Sequence, residues 1–438
     1  MRRRKKASER GECDEDGMDH HRSRRPFSGS HHRQSVYTRD RNDRKGRCDN
    51  SLLRPRNHHQ WQSGSTPEQN PLTSQTLSTR KELYERDFPL YKQPVEVGCF
   101  SLDAQRRFFN DGRQMRYYVE PDKNPNFDLR DGYEDRYVKR DESVKEKLDH
   151  ILRWILANRL KLKSKASSHA LDFDFVTWRG HLTKLLTTPY ETRDGWLLAV
   201  TKFKDTLYIS EVETEAARRD RENRPEWNHK MMYWGYKFEQ YMCADNAHGL
   251  PDSSGVVNTN EAFCTVVQTR LTDHKLLFSG EVDCRDKDPS VPPPACYVEL
   301  KTSAEICTPK QRSNFHRFKL LKWWAQSFLP GVPRVVAGFR DRDGTVVSVD
   351  TFPIAKVSQL IKNEPNCWKP TVCMNFTCDF LSFLKRIATE DNPSVVYLVS
   401  WEPLKDVTYS VHRDSCFSFL PLWYVEAMGS CQDSHHQP

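Results

Sequence analysis

Glu281 and Asp283 sit two residues apart in the otherwise apolar run Phe278-Ser-Gly-Glu-Val-Asp-Cys284. Side chains alternate along a strand, so residues two apart share a face, with Val282 opposite. Sixteen residues after Asp283, Tyr297-Val-Glu-Leu-Lys301 repeats the spacing: Glu299 and Lys301 share a face, and Val298 and Leu300 turn to a core. If the two strands pair, three carboxylates and one ammonium converge on one small area. Carboxylates that close repel and raise a pKa unless a cation lies between them. Mg²⁺ or Mn²⁺ suits such a place, because a hard cation takes carboxylate and carbonyl oxygens and keeps waters for a phosphate substrate. Two ions would stabilise both the attacking and the leaving oxygens of a phosphodiester, and Lys301 would add positive charge at the phosphate. The competing reading is a solvated strand of salt-bridged charges.

Two further polar residues stand where helices are otherwise apolar. Glu239 lies among Trp234, Tyr236, Phe238 and Tyr241; buried, it needs a partner such as a metal, and on a helix surface it needs none. Gln326, flanked by Trp323, Trp324 and Phe328, reads as a site residue or as a satisfied core amide. Arg179, between Trp178 and Gly180, suits phosphate contact where the backbone must approach closely. Nucleotide-triphosphatase, serine-hydrolase and zinc-protease chemistry lack their parts, since G-x-x-x-x-G-K-[ST], G-x-S-x-G and H-E-x-x-H are all absent.

The elements that must hold these residues are legible from periodicity. Val144, Leu148, Ile151, Leu152, Ile155, Leu156 and Leu160 recur at helical spacing. Residues 228–244 and 317–329 also read as helices, the latter stopped by Pro330-Gly331. Residues 274–284 and 295–303 read as strands separated by a proline-rich stretch. Two hairpins are expected, over 196–213 and 335–352, the second with an Asp343-Gly344 turn. The mixed order predicts an α/β fold, with mixed, largely antiparallel sheets flanked by helices.

The 438 residues are 37% hydrophobic and 29% charged, enough for a sizeable core. Residues 1–80 hold 18 Lys and Arg against 10 Asp and Glu, and the remaining chain holds 50 of each. The net charge of +8 therefore resides in the N-terminal segment. Composition predicts a disordered basic tail over 1–85, a single domain over 86–430 and a short disordered tail over 431–438. Arg2–Lys6 and Arg22–Pro26 could serve nuclear import or RNA contact, or be solvated charge runs. The 13 cysteines form no C-x-x-C pair, which points to a reducing compartment rather than a disulfide framework. The basic N-terminus has no apolar signal core, and no run of 18 apolar residues spans a membrane.

The segments GCFSLDAQRRF, NFDLRDGY, TWRGHLTKLLTTPYE, WGYKFEQYMCAD, FSGEVDC, YVELKTS and LLKWWAQSFLPGVPRVVAGF together resemble the animal decapping and exoribonuclease (DXO) family. The likeness runs from about Asp87 to Met428. It implies a restriction-endonuclease-like core and Mg²⁺- or Mn²⁺-dependent hydrolysis at RNA 5′ ends. The implied substrates are incompletely capped, NAD-capped and 5′-monophosphate RNA, acted on by a monomeric nuclear enzyme with no membrane partner. By the resemblance, Glu239, Asp283 and Glu299 ligate metal through side chains, Leu300 through its carbonyl and Glu281 directly or through water. Lys301 and Gln326 position the nucleophile or the scissile phosphate. Trp178, Arg179 and Gly180, with Arg106, Glu146 and Cys264, line the RNA path. A non-catalytic RNA-binding module that stimulates another nuclease, and a DNA exonuclease on the same core, are the alternatives.

Overall fold

The computed structural model describes residues 75–123, 125–164 and 170–429, all within one compact unit. Of the proposed tails 1–85 and 431–438, residues 1–74 and 431–438 lie outside the described residues. Residues 75–85, assigned by composition to the tail, are packed instead. Leu77 exchanges backbone hydrogen bonds with Val407 at 3.0 and 2.8 Å, and the fully buried Tyr84 meets Phe376 edge-on. Two apolar side chains suffice to anchor a segment whose average composition is polar.

Two large mixed sheets form the core among the described residues. The nine-stranded sheet has the spatial order Thr408–Arg413, Val395–Trp401, Trp196–Phe203, Thr206–Val212, Phe175–Trp178, His274–Glu281, Ala262–Leu271, Val95–Leu102, Phe108–Phe109. Its pairs are antiparallel except where Phe175–Trp178 runs parallel to both neighbours. The seven-stranded sheet runs Phe127–Asp128, Thr345–Pro353, Arg334–Arg340, Tyr297–Ala304, Cys284–Arg285, Tyr117–Tyr118, Cys243–Ala244. Both expected hairpins are present in it and in its neighbour.

Both sheets are covered on two faces over their central strands, which are apolar on both, whereas Thr345–Pro353 and Thr408–Arg413 are largely exposed. Leu276 and Phe278 join a cluster with Val335, Ala337 and Phe339 of the second sheet and with helices Arg179–Thr187, Leu320–Phe328 and Pro370–Ile387. Leu277, between them, joins the opposite cluster with helix Asp149–Leu162. That helix is shorter than the apolar spacing suggests, and Val144 and Leu160 are 42% and 76% exposed. Lys147 sits at φ +46°, in the left-handed region that cannot propagate a right-handed helix, so the helix begins only at Asp149.

Helix Glu226–Met242 covers the far face of the seven-stranded sheet, on Val298, Leu300 and Val336. Lys237, fully buried, pins it by donating to Asp131 Oδ2 at 2.8 Å, Gln240 Oε1 at 2.9 Å and the Ser253 carbonyl at 2.6 Å. Nine described cysteines are free. No helix among the described residues is long and apolar enough to cross a membrane.

Gly338 lets this helix lie close to its strand: a Cβ there would stand 2.6 Å from the Phe238 ring, beside Glu239. Gly338→Ala is expected to destabilise the fold by about 1–3 kcal/mol through overpacking, read as a lower denaturation midpoint in urea.

Candidate active site

The strand His274–Glu281 stops at Glu281, and Val282 and Asp283 carry the chain across to the second sheet at Cys284–Arg285. The direct pairing of two long strands expected from the spacing is not formed, because His274–Glu281 and Tyr297–Ala304 belong to different sheets. Only Cys284 and Arg285 pair with the second, opposite Val298 and Tyr297. The acids still gather, because the crossing lies beside the strand that bears Glu299. Past Val298 that edge has no partner strand among the described residues, so the Leu300 amide donates to Asp283 Oδ2 at 2.6 Å. A residue's N–H and C=O share one strand edge, so the Leu300 carbonyl faces the Asp283 side.

Glu299 is 2% exposed and accepts from two cations. Lys301 Nζ donates to Oε1, and Arg179 Nη1 to Oε2 at 3.3 Å. Burial alone would raise its pKa; Lys301 and Arg179 outweigh that and hold it below the ordinary value. Arg179 opens helix Arg179–Thr187 after the strand Phe175–Trp178, and its side chain passes over Gly280, where a Cβ would come within 3.0 Å of it. The sequence reading had placed a close approach at Gly180 and passed over Gly280, although a glycine inside a strand is a signal of one.

Asp283 is different. Burial, then the Glu299 charge, pushes its pKa up to about 7 against the opposition of Lys301 and the Leu300 amide. Glu239, on helix Glu226–Met242, is held well above its ordinary value by burial and then by Asp283 and Glu281, with Arg116 opposing. Glu281 itself is exposed, at the strand end. The site thus brings Glu239, Glu281, Asp283, Glu299 and Lys301 into electrostatic contact.

Gln326 lies on the helix Leu320–Phe328. Strands Tyr297–Ala304 and Arg334–Arg340 are parallel, so the connecting helix runs back along them, and Lys319 Nζ on Ser303 Oγ at 3.1 Å sets its register. Seven helical residues cover roughly 10 Å and four strand residues roughly 13 Å, which brings Gln326 to about the level of Glu299 and Lys301.

The remaining predicted residues form an adjoining wall. Arg106 makes a bidentate pair with Glu146 at 2.8 and 3.0 Å, and its charge also feels Glu281 and Cys264. Cys264 stands opposite Glu281 in the strand register. Trp178 Nε1 donates to the Lys147 carbonyl at 2.7 Å, next to Glu146, and Gly180 is the second residue of the Arg179 helix. Sequence reasoning missed Arg140, which also binds Glu146 at 2.9 Å, and Arg116 beside Glu239. Neither carried a spacing signal.

Among the described residues no three Asp, Glu, His or Cys side chains close around one ion-sized point; Glu299 is turned to its cations and Asp283 to the Leu300 amide. The donor set nevertheless fits a hard divalent cation. It is all oxygen, and the charges on Glu239 and Asp283 are disfavoured by neighbouring carboxylates, the condition such a cation relieves.

The sequence model of the RAI1-like PD-(D/E)XK nucleases matches residues 92–425. The chain belongs to this family. Members are divalent-metal-dependent hydrolases of phosphodiester bonds, and Glu299-Leu300-Lys301 reads as the (D/E)XK of the family name. The decapping and exoribonuclease proteins of Bos taurus and Homo sapiens are each 57% identical over 362 residues, 82% of this chain and 91% of theirs. The crystal structure of Scheffersomyces stipitis Rai1 in complex with (3′-NADP)⁺ and calcium ion matches with TM-score 0.72 at 26% identity, over 81% of this chain and 99% of that one.

The raised Asp283 pKa has a stability consequence with a definite sign. Its contribution is present below its ordinary 3.8 and is lost as pH rises through about 7. Glu299, lowered, acts oppositely and loses its contribution on acidification. Thermal unfolding should therefore show a Mn²⁺-induced rise in Tm that is larger at about pH 8 than at about pH 5.5, and Asp283→Asn should flatten that difference.

Proposed function

We propose that this chain hydrolyses RNA at its 5′ end in nuclear RNA quality control. It removes incomplete, unmethylated caps and NAD-type caps and degrades 5′-monophosphate RNA in the 5′→3′ direction, acting as a monomer with Mg²⁺ or Mn²⁺, two ions in the working state. The observation that carries this is the Glu299 carboxylate held between Lys301 and Arg179 beside the charge-stressed pair Asp283 and Glu239. Support for RNA and caps as substrates comes from the names of the relatives and from the dinucleotide ligand of the yeast protein. The basic clusters Arg2–Lys6 and Arg22–Pro26 support the nuclear assignment.

Glu239, Asp283, Glu299, the Leu300 carbonyl and Glu281 would hold the metal. When bound, a divalent cation supplies Lewis-acid stabilisation of phosphoryl oxygens and a more acidic water. The chain's residues do the rest. Lys301 neutralises charge that develops on the phosphate, Gln326 orients water or the scissile phosphate, and Arg179 keeps Glu299 ionised. Water attacks phosphorus in line, a P–O bond forms and the opposite P–O bond breaks. One site can serve cap removal and stepwise degradation, because both reactions cleave a phosphodiester next to a 5′ nucleotide. Arg106, Glu146, Trp178, Gly180 and Cys264 would line the path of that nucleotide.

Turnover on RNAs differing only at the 5′ end (unmethylated cap, methylated cap, NAD, monophosphate, triphosphate), with products identified, tests the reading. Release of intact cap nucleotides and of mononucleotides is expected. DNA turned over equally well would favour the DNA exonuclease, and no turnover at all the binding module. Lys301→Met should lower kcat by about 10²–10³, and Glu239→Gln or Asp283→Asn should abolish it.

A further inference from the structure

The polar face of the strand Tyr297–Ala304 continues beyond Lys301. Ser303 lies two residues on, roughly 7 Å along the same face, and receives Lys319 Nζ at 3.1 Å. Among the described residues no carboxylate pairs with Lys319: burial brings its pKa down to about 8, and the charge acting on it is another cation, Arg340. From Ile306 to Arg340 the chain has seven Lys and Arg and no Asp or Glu. Acids from other elements answer part of this run, Glu364 taking His316 at 2.8 Å and Glu191 taking Lys322 at 3.3 Å. Arg317 and Arg193 instead flank the ring of Phe318, 5.3 and 6.0 Å from its centroid, and Phe318 is 44% exposed. Phe315–Lys319 wind as a π-helical turn between two α-helical segments, an irregularity frequent at functional sites. It turns Lys319 onto Ser303 while leaving Phe318 in solvent.

We propose that Lys319 and Phe318 form a subsite for the RNA strand leading away from the reacting phosphate, with Lys319 contacting a backbone phosphate and Phe318 stacking a base. The proposal rests on the RNA-hydrolase reading and adds the route of the chain beyond the cut nucleotide. A phosphate supplies the counter-charge that no described residue gives Lys319. An exposed ring between guanidinium groups is a stacking platform open to any base, which suits an enzyme that advances along RNA irrespective of sequence. Lys301 and Ser303-bound Lys319 follow one another along a single strand face, as successive phosphates do along an extended strand.

Binding of 5′-phosphorylated oligouridylates of two and ten nucleotides is measured with the full chain in Ca²⁺ across a salt range, and hydrolysis is followed separately in Mn²⁺. Lys319→Met and Phe318→Ala should each weaken the longer ligand about tenfold and the dinucleotide much less. Lys319→Met should also reduce the slope of log affinity against log salt by about 0.7, and Lys319→Arg should restore it. Equal losses on both lengths indicate a structural role and overturn the subsite, as do unchanged affinity and slope. Variants that match a wild type able to bind and cleave RNA overturn the subsite alone. A wild type that leaves every 5′ end intact overturns the function and the subsite with it.

Discussion

Glu299 is a carboxylate with 2% of its surface in water, and charge in that position has to be answered. Lys301 answers from the next same-face position of its own strand. Arg179 answers from the start of the helix that follows a strand of the other sheet, across Gly280. One neutralisation therefore also ties the two sheets at the point where the chain crosses between them. Removing one partner of a buried pair costs about 3–5 kcal/mol, so this contact is a joint of the fold as well as part of the site.

The acids around it are under-supplied with positive charge. Asp283 and Glu239 are pushed up by burial and by one another's neighbours, while Glu299 is held down. Carboxylates with opposed shifts within one site are a mark of chemistry rather than of structure. The repulsion can persist because each acid is mounted on a separately stabilised element. Glu239 rides on a helix tied down by the hydrogen bonds of Lys237 to Asp131 and Ser253, Asp283 on a crossing capped by Leu300, and Glu299 in the middle of a paired strand. None can relax without dismantling an element.

Some of this was legible because it is local. The alternation in Tyr297–Lys301 put Glu299 and Lys301 on one face and Val298 and Leu300 in a core, as the structure has them. Helices, hairpins and the mixed sheets followed from periodicity and turn residues. Other features were misread where a local pattern met a distant constraint. The apolar spacing around Val144 and Leu160 is helical, yet the left-handed backbone at Lys147 starts the helix late. Residues 75–85 are polar on average, yet Leu77 and Tyr84 find pockets made by residues some 300 positions away.

What the chain alone determined is the set of acids and the lysine, their spacing on each strand and, through its motifs, its kinship with decapping nucleases, because side-chain type and alternation are properties of adjacent residues. Which charges meet was decided only in three dimensions. The strands of Glu281 and Glu299 were expected to pair and instead lie in different sheets, and Asp283 joins Glu299 only because the chain changes sheets between Glu281 and Cys284. Arg179 and Arg116 reach their acids from more than a hundred residues away, through contacts that have no period in the sequence. Electrostatic partnership acts through space at a few ångströms, and only folding sets those distances.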